Sequence, residues 1–168
     1  MDPERGRGMS DLFFGINMQK LLRLGVLERV RAGLPPAPED AQLSSEELLF
    51  CRLWASDTMH SQIFQKGEPL VREGQRLEQA YIVFQGQALA SCAGTQFHLG
   101  PGAVIGLAEA LAQQACRWSV SAQSMLHTRS IPIAAALDDI RGSNPGLRSI
   151  CRVTVARILN LAEVPAQL

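Results

Sequence analysis

The sequence lacks the motifs that mark several common classes of protein. Its four cysteines form no CxxC pair, so the ligand spacing of a zinc knuckle or an iron–sulfur cluster is missing. No apolar run approaches the roughly 20 residues that a membrane helix needs, and no signal-like apolar segment opens the chain. We therefore expect a soluble, cytoplasmic protein with free thiols, no transmembrane segment and no bound metal.

The chain also lacks an excess of either charge. Its 16 Lys and Arg residues balance 16 Asp and Glu residues, which leaves a formal net charge of +0. A protein that holds nucleic acid through phosphates carries a basic excess, so nucleic acid is not the expected partner. The chain has 168 residues, of which 46% are hydrophobic, and this is enough for the core of one domain with an appendage.

Catalytic motifs are missing as well. His60, His98 and His127 are isolated in the sequence, and none has the helical spacing with Glu that is typical of a zinc hydrolase. The sequence shows no nucleophile elbow, phosphate loop or Ser-His-Asp order. We therefore expect that the protein is not an enzyme.

The N-terminal part of the chain differs in pattern from the rest. Apolar residues at helical spacing predict a helix that is broken near Gly15 and Gly25, and three closely spaced prolines then stop it. We therefore divide the chain into an N-terminal helical arm with a proline-rich linker, residues 1–40, and one domain, residues 41–168.

The domain begins with a helix and continues with strands. Ser44 or Ser45 is the expected N-cap of a helix that runs to about Ala55. From Gln62 onward, glycine-bearing turns recur about every 7 to 12 residues, which is typical of a β-sandwich or barrel. Residues 80–84 are apolar throughout and predict a central strand with two buried faces.

A second strand pattern and three helices follow. Trp118, Val120 and Ala122 alternate with polar residues, so we expect them on one buried face of a strand. The predicted helices are residues 104–112, residues 132–140, and residues 145 to about 163 with Asn144 as N-cap.

Four glycine-bearing segments follow one another between residues 64 and 106, and the resemblance that they carry covers about residues 62–161. They are Phe64-Gln65-Lys66-Gly67-Glu68-Pro69-Leu70-Val71-Arg72-Glu73-Gly74-Gln75, Ala80-Tyr81-Ile82-Val83-Phe84-Gln85-Gly86, Leu99-Gly100-Pro101-Gly102 and Ile105-Gly106. In order and spacing they resemble the cyclic-nucleotide-binding domain of catabolite activator proteins and protein kinase A regulatory subunits. The resemblance implies an α+β, mainly β, fold: an eight-stranded jelly-roll barrel flanked by N- and C-terminal helices, with a pocket capped by a short helix.

In that family the pocket contains a phosphate-binding cassette, which reads F-G-E-x-A-L, then a loop, then R-(S/T)-A-x-V-x-A. The resemblance implies a Glu that accepts from the ribose hydroxyl and an Arg fork that binds the cyclic phosphate. Aligned on Ile105-Gly106, this chain has Leu107 in place of that Glu. Aligned on Val120-Ser121-Ala122, it has Cys116 in place of that Arg.

Two charged residues lie close in sequence to Leu107 and Cys116, the positions aligned with the family's Glu and Arg. Glu109 and Arg117 are two and one positions away, and a shift of the loop would restore either of them, although a one-residue shift on a strand turns a side chain to the opposite face. A cyclic phosphate without its cation loses roughly 2 to 5 kcal/mol. We therefore expect no cofactor, with a cyclic nucleotide as the alternative. The candidate pocket residues are Gly106, Leu107, Ala108, Glu109, Cys116, Arg117 and Trp118.

Two groups of residues are candidates for protein contact. Phe13, Phe14 and Leu21 form an apolar surface if the arm is free, and they are buried if the arm folds back onto the barrel; the sequence leaves both open. Arg148 and Arg152 share one face of the last helix and would fit an acidic partner. Because the chain ends where the family's dimerisation helix would lengthen, and before any helix-turn-helix element, we expect a monomer or weak homodimer.

These observations favour a non-catalytic regulatory or adaptor module that acts by protein–protein contact and does not bind cAMP or cGMP in the usual way. The alternative is a small-molecule sensor whose altered pocket takes a cyclic nucleotide, a cyclic dinucleotide or an apolar ligand. A third hypothesis, a redox switch at Cys116, requires a lowered thiol pKa.

Overall fold

Two antiparallel sheets form the centre of the molecule. The computed structural model describes residues 12–34, 43–163 and 165–168. The predicted proline-rich linker lies largely outside these residues. The strands are β1 (Phe14–Gly15), β2 (His60–Phe64), β3 (Pro69–Val71), β4 (Gln79–Gln85), β5 (Ala88–Cys92), β6 (Thr95–Leu99), β7 (Ala103–Ile105), β8 (Ser119–Ala122) and β9 (Leu126–Pro132). One sheet has the order β1-β7-β4-β9-β2, and the other has the order β3-β8-β5-β6.

Strands β2 to β9 are the eight strands of the jelly roll, and β1 is an addition from the N-terminal arm. Phe14 pairs with Val104 and Gly15 pairs with Ala103, so the arm extends the first sheet at its β7 edge. The prediction of helix up to Gly15 is wrong at this point. The free backbone groups of an edge strand attract a partner strand, and this tertiary pairing overrides the local helical pattern.

Six helices surround the sheets in the described part of the chain. They are α1 (Met18–Arg23), α2 (Val26–Arg31), α3 (Ser45–Ala55), α4 (Leu107–Leu111), α5 (Ile133–Arg141) and α6 (Pro145–Leu159). None of these six is long and apolar enough to span a bilayer. The predicted break at Gly25 is confirmed, because its left-handed φ of 63° separates α1 from α2.

Two predicted helices are shorter than expected. The helix predicted at residues 104–112 begins only at Leu107, because the preceding residues pair in β7. The last helix was expected to reach Glu163, and it ends at Leu159 because Asn160 adopts a left-handed φ of 53°. Asn144 caps that helix as predicted, since its side chain accepts from the backbone N–H of Leu147.

The hydrophobic side chains form two cores on opposite faces of the first sheet. Ala80 and Ile82 of β4 face the helices, whereas Val83 faces the barrel interior, and all three are fully buried. This confirms the prediction of a central strand with two buried faces. Trp118 and Val120 lie on the interior side of the second sheet and are each 1% exposed, as their alternation predicted.

Glu47 joins helix α3 to the N-terminal arm. Ser44, one of the two residues predicted as N-cap, takes that position and forms a capping box in which Glu47 Oε2 accepts from the Ser44 N–H at 2.9 Å. The same carboxylate accepts from Lys20 Nζ at 2.7 Å and from the Asn17 N–H at 3.3 Å. Burial opposes ionisation of Glu47, but the hydrogen bonds from Lys20, Ser44 and Asn17 outweigh it and lower the pKa of the carboxyl.

Replacing Glu47 by Gln is therefore expected to lower the free energy of unfolding at neutral pH by about 2 kcal/mol, because a buried, hydrogen-bonded charge pair is broken. The pKa of Glu47 is lower in the folded state than its ordinary value of 4.5. Its stabilisation is thus present above that value and is lost as the pH falls through the lowered one. Urea unfolding at several pH values should show the difference between wild type and E47Q shrinking as the pH is lowered.

Glu73→Gln is the matched control, because Glu73 is exposed and its loss should leave stability within about 0.5 kcal/mol of wild type. An E47Q protein that is as stable as wild type at neutral pH contradicts the assignment.

Candidate ligand pocket

The start of the cassette is a tight turn into a short helix. Gly106 has a left-handed φ of 80° and precedes α4, and a Cβ at this position would clash with the side chain of Leu77. Leu107 and Ala108 are buried in the core on the helix side of the sheet, not in the barrel interior. Leu107, which the sequence alignment matches with the family's ribose-binding Glu, therefore packs on the helix side.

Cys116, which the sequence alignment matches with the family's Arg, is buried in the barrel interior. Its backbone is fixed to a turn of the second sheet, because its N–H donates to Gln75 O and its carbonyl accepts from the Gly74 N–H, both at 2.8 Å. Burial, assisted by the nearby Glu109 carboxylate, raises the pKa of the Cys116 thiol to about 11. The thiol is therefore neutral at pH 7 and supplies no positive charge.

The raised pKa contradicts the redox hypothesis, which requires a thiolate at neutral pH. The Sγ atom instead lies within hydrogen-bond distance, 3.3 Å, of the Trp118 carbonyl. Cys116 thus acts as a small apolar residue in a closed core.

Arg117 points away from the barrel interior, between the buried Cys116 and Trp118. Its Nε lies 3.7 Å from Glu109 Oε1, and its Nη2 donates to the Ile158 carbonyl at 3.1 Å. A cation at the C-terminal end of a helix is stabilised by the helix dipole. The two charged residues that a loop shift would have restored as anchors are instead paired with each other, and Arg117 ties α4 to the end of α6.

The N-terminal arm fills the barrel interior beside Trp118. The Phe13 ring lies 5.2 Å from the Trp118 ring, and the ring of Phe97, a residue of β6, lies 5.6 Å from the Trp118 ring. Leu12 is 1% exposed and belongs to the same core. Side chains of the chain itself therefore occupy the interior around Trp118.

Burial of the arm corrects the prediction of an apolar partner surface. Phe13 lies in the barrel core, and Phe14 and Leu21 lie in the helix-side core at 3% and 0% exposure. Of the two alternatives that the sequence left open, the arm folds back onto its own barrel. Burial of large apolar side chains favours this arrangement.

Two grooves open on the described part of the molecule, and Phe13 lines the first of them. A groove of about 680 Å³ runs between arm residues 13–19 and the turn at residues 100–103. A groove of about 640 Å³ lies between residues 76–79 and helices α4 and α5. Neither Cys116 nor Trp118 lines either groove. Within the described ranges, no group of three or more His, Cys, Asp or Glu side chains is placed to hold a metal ion.

The basic face predicted on the last helix is only partly available. Arg152 Nε donates to the Pro165 carbonyl at 3.3 Å, which ties α6 to the last residues of the chain. Arg148 is half-buried one turn earlier. A role of both residues in partner binding stays a prediction.

Sequence reasoning missed two residues of the barrel interior. Phe97 alternates with the exposed Gln96 and His98 on β6, so strand periodicity could have identified it. Leu12 carries no comparable signal, because only the pairing of β1 with β7 determines where it is buried.

Comparison with known proteins gives matches in structure only. No family model matches the sequence, and no curated protein matches it. The cAMP-bound EAL enzyme Bd1971 has a TM-score of 0.52 at 20% identity over 59% of this chain and 28% of its own. The cAMP-bound PfPKA-R (141–441) has 0.53 at 15% identity over 83% and 47%. The Thermus thermophilus catabolite activator protein has 0.50 at 19% identity over 78% and 56%.

These likenesses, together with the two antiparallel sheets, define a β-rich α+β jelly-roll domain. More narrowly, its fold is that of the cyclic-nucleotide-binding domain. This chain spans about a quarter of the length of Bd1971 and about half of the other two proteins.

Phe13→Ala is expected to lower the free energy of unfolding by about 3 kcal/mol, because it removes a buried ring and leaves a cavity beside Trp118. Leu22→Ala in the same arm is the control, since Leu22 is 57% exposed and its loss should change stability by less than about 0.5 kcal/mol. Equal stability of F13A and L22A in urea unfolding contradicts a buried Phe13.

The raised thiol pKa predicts that Cys116 is inert in the folded protein. At pH 8 the thiolate is a minor species, so iodoacetamide should modify Cys116 far more slowly in the native than in the urea-unfolded chain. Cys151, whose pKa burial raises to about 12, should behave alike. Mass spectrometry of the labelled peptides measures both rates, and fast native labelling of Cys116 would reopen the redox hypothesis.

Proposed function

We propose that this chain is a non-catalytic regulatory module that has the cyclic-nucleotide-binding fold, takes no cyclic nucleotide in the usual way, and acts by contact with another protein. The observation that carries the proposal is the barrel interior, where Phe13 packs on Trp118 at 5.2 Å and where Cys116 is buried; the sequence alignment matches Cys116 with the family's cationic anchor. The four cysteines, which form no disulfide, are compatible with a cytoplasmic location. A monomer or weak homodimer remains the predicted state.

Electrostatics argue against a cyclic phosphate in this interior. A buried phosphate monoanion needs charge-assisted hydrogen bonds, and Cys116 is a neutral thiol at pH 7. The nearest guanidinium in sequence, Arg117, is engaged with Glu109 and with the Ile158 carbonyl. The missing cation weakens the binding free energy by roughly 2 to 5 kcal/mol, which is about 1.5 to 3.5 decades in the dissociation constant.

Steric occupancy adds a second, separate barrier. A ligand that stacks on Trp118 must displace Phe13, whose burial is worth about 3 kcal/mol. Affinity falls in proportion to the fraction of molecules with an open interior. With both barriers present, we expect cyclic-nucleotide affinity to be far weaker than micromolar.

A second candidate function is a sensor of an uncharged, largely apolar ligand. A buried hydrogen-bond donor in the barrel supports this candidate. Trp118 Nε1 is buried and finds no hydrogen-bond acceptor among the described residues. A ligand that replaced Phe13 and offered a carbonyl or ether oxygen would satisfy this donor. The sensor and the contact module differ in whether any ligand reaches Trp118.

Calorimetric titration with cAMP, cGMP and cyclic di-GMP tests the proposal, with the indole N–H resonance of Trp118 recorded in parallel by nuclear magnetic resonance. We expect no saturable heat and no shift of this resonance up to about millimolar ligand. A micromolar dissociation constant with a shift at Trp118 would overturn the proposal.

F13A separates the two barriers, because it opens the interior without restoring a cation. Binding of cAMP by F13A that stays weaker than about millimolar supports the loss of the anchor. Micromolar binding by F13A would show that the anchor positions are not deficient.

A further inference from the structure

Part of the outer face of the first sheet is not covered by helices. Side chains alternate along each strand, so Ile82 of β4 and Ile131 of β9 point to the helix side and are buried there. Phe84 and Arg129 lie on the same face, but both are only half-buried. Helix α3 ends at Ala55, so its last turn forms the border of this open region.

Two aromatic rings and two arginines meet at that border. The Trp54 ring stacks beside Phe84 at 6.0 Å with an interplanar angle of 26°. The Arg129 guanidinium lies 5.6 Å from the Trp54 ring and 6.0 Å from the Phe84 ring. The Arg31 guanidinium, from the end of α2, lies 5.0 Å from the Trp54 ring. Both distances to Trp54 are within the range of a cation–π contact.

The positive charge of this cluster is not compensated within the described residues. No described carboxylate lies within 4.0 Å of the guanidinium of Arg31 or Arg129, in contrast to the Lys20–Glu47 pair. The two guanidiniums share one ring and are thus no more than about 11 Å apart, the sum of 5.0 and 5.6 Å. Two like charges held this close repel each other and favour an anion beside them.

An exposed apolar residue extends the same face. Ile63 of β2 is 53% exposed. It points to the outer face, because the adjacent Phe64 belongs to the barrel core. Its cross-strand neighbours on β9 place it on the same side of the sheet as Arg129. Ile63 therefore adds an exposed aliphatic side chain to the sheet face that carries Phe84 and Arg129, and aromatic and Arg side chains are the types enriched at binding hot spots.

We propose that this surface, which we call the Trp54 face and define as Arg31, Trp54, Ile63, Phe84 and Arg129, binds an acidic segment of a partner protein. The inference rests on the proposed function as a contact module and names the surface and the chemistry of the partner. Carboxylates of the segment pair with the two guanidinium forks, and an apolar side chain of the segment packs on Ile63 and the rings. A protein partner is favoured over nucleic acid for two reasons. The chain has a formal net charge of +0, and two arginines are too few to hold a phosphate backbone.

A short synthetic peptide of Glu, Leu and Ser is the probe, and the same peptide with Lys in place of Glu is its matched control. The chain has two tryptophans, so each indole N–H resonance reports one place: Trp54 the proposed surface and Trp118 the barrel. We expect the acidic peptide to shift the Trp54 resonance, the Trp118 resonance to stay unchanged, and binding to weaken as salt is added.

Arg31→Gln and Arg129→Gln should each weaken binding of the acidic peptide by about tenfold, which corresponds to the loss of one charge-assisted contact. Arg129→Lys keeps the charge but loses the fork, so it should weaken binding less than Arg129→Gln. Arg72→Gln is the matched control, because Arg72 is exposed and lies outside the Trp54 face. Thermal unfolding of each variant checks that the fold is kept.

Three outcomes overturn the inference: no shift at Trp54, equal binding of the Lys peptide, or an equal effect of R72Q. If the proposed function is wrong, the chain binds a cyclic nucleotide with a micromolar dissociation constant, and the Trp118 resonance shifts. The two tryptophans thus keep the two failures apart.

Discussion

The contact between Phe13 and Trp118 is the interaction on which the rest of the structure depends. The rings lie 5.2 Å apart in the barrel interior, where both side chains are buried. The next residue, Phe14, enters the opposite core through β1. One short segment therefore contributes side chains to both cores, and neither core is complete without it. Aromatic pairs of this kind are worth more than their buried area alone.

The charges of the cassette region are arranged to join elements of the fold. Glu109 and Arg117 pair with each other, and Arg117 also binds the end of α6 through the Ile158 carbonyl. Glu47 joins helix α3 to the arm, because it accepts hydrogen bonds from Lys20 and Asn17. Buried charges need partners, and here the partners come from different parts of the chain. Arg31 and Arg129, which have no carboxylate within 4.0 Å among the described residues, instead contact the Trp54 ring on the surface for which we propose a protein partner.

Local sequence patterns were sufficient for much of the fold. The Ser44 cap, the central strand β4 and the alternation at Trp118 depend on neighbours in sequence, and all three were predicted correctly. The strand at Phe14 and the hydrogen bond from Arg117 to the Ile158 carbonyl depend on residues that are distant in sequence. Periodicity carries no information about such contacts. The fold was therefore predictable, whereas the state of the candidate pocket was decided by the arm.

The nuclear Overhauser effect between the Phe13 ring and the Trp118 indole, measured in solution with cAMP in large excess, tests the central claim most directly. The account predicts that the cross-peaks between the two rings persist unchanged, because the arm keeps its place in the barrel. Loss of those cross-peaks, with new ones between Trp118 and the adenine protons, would contradict it.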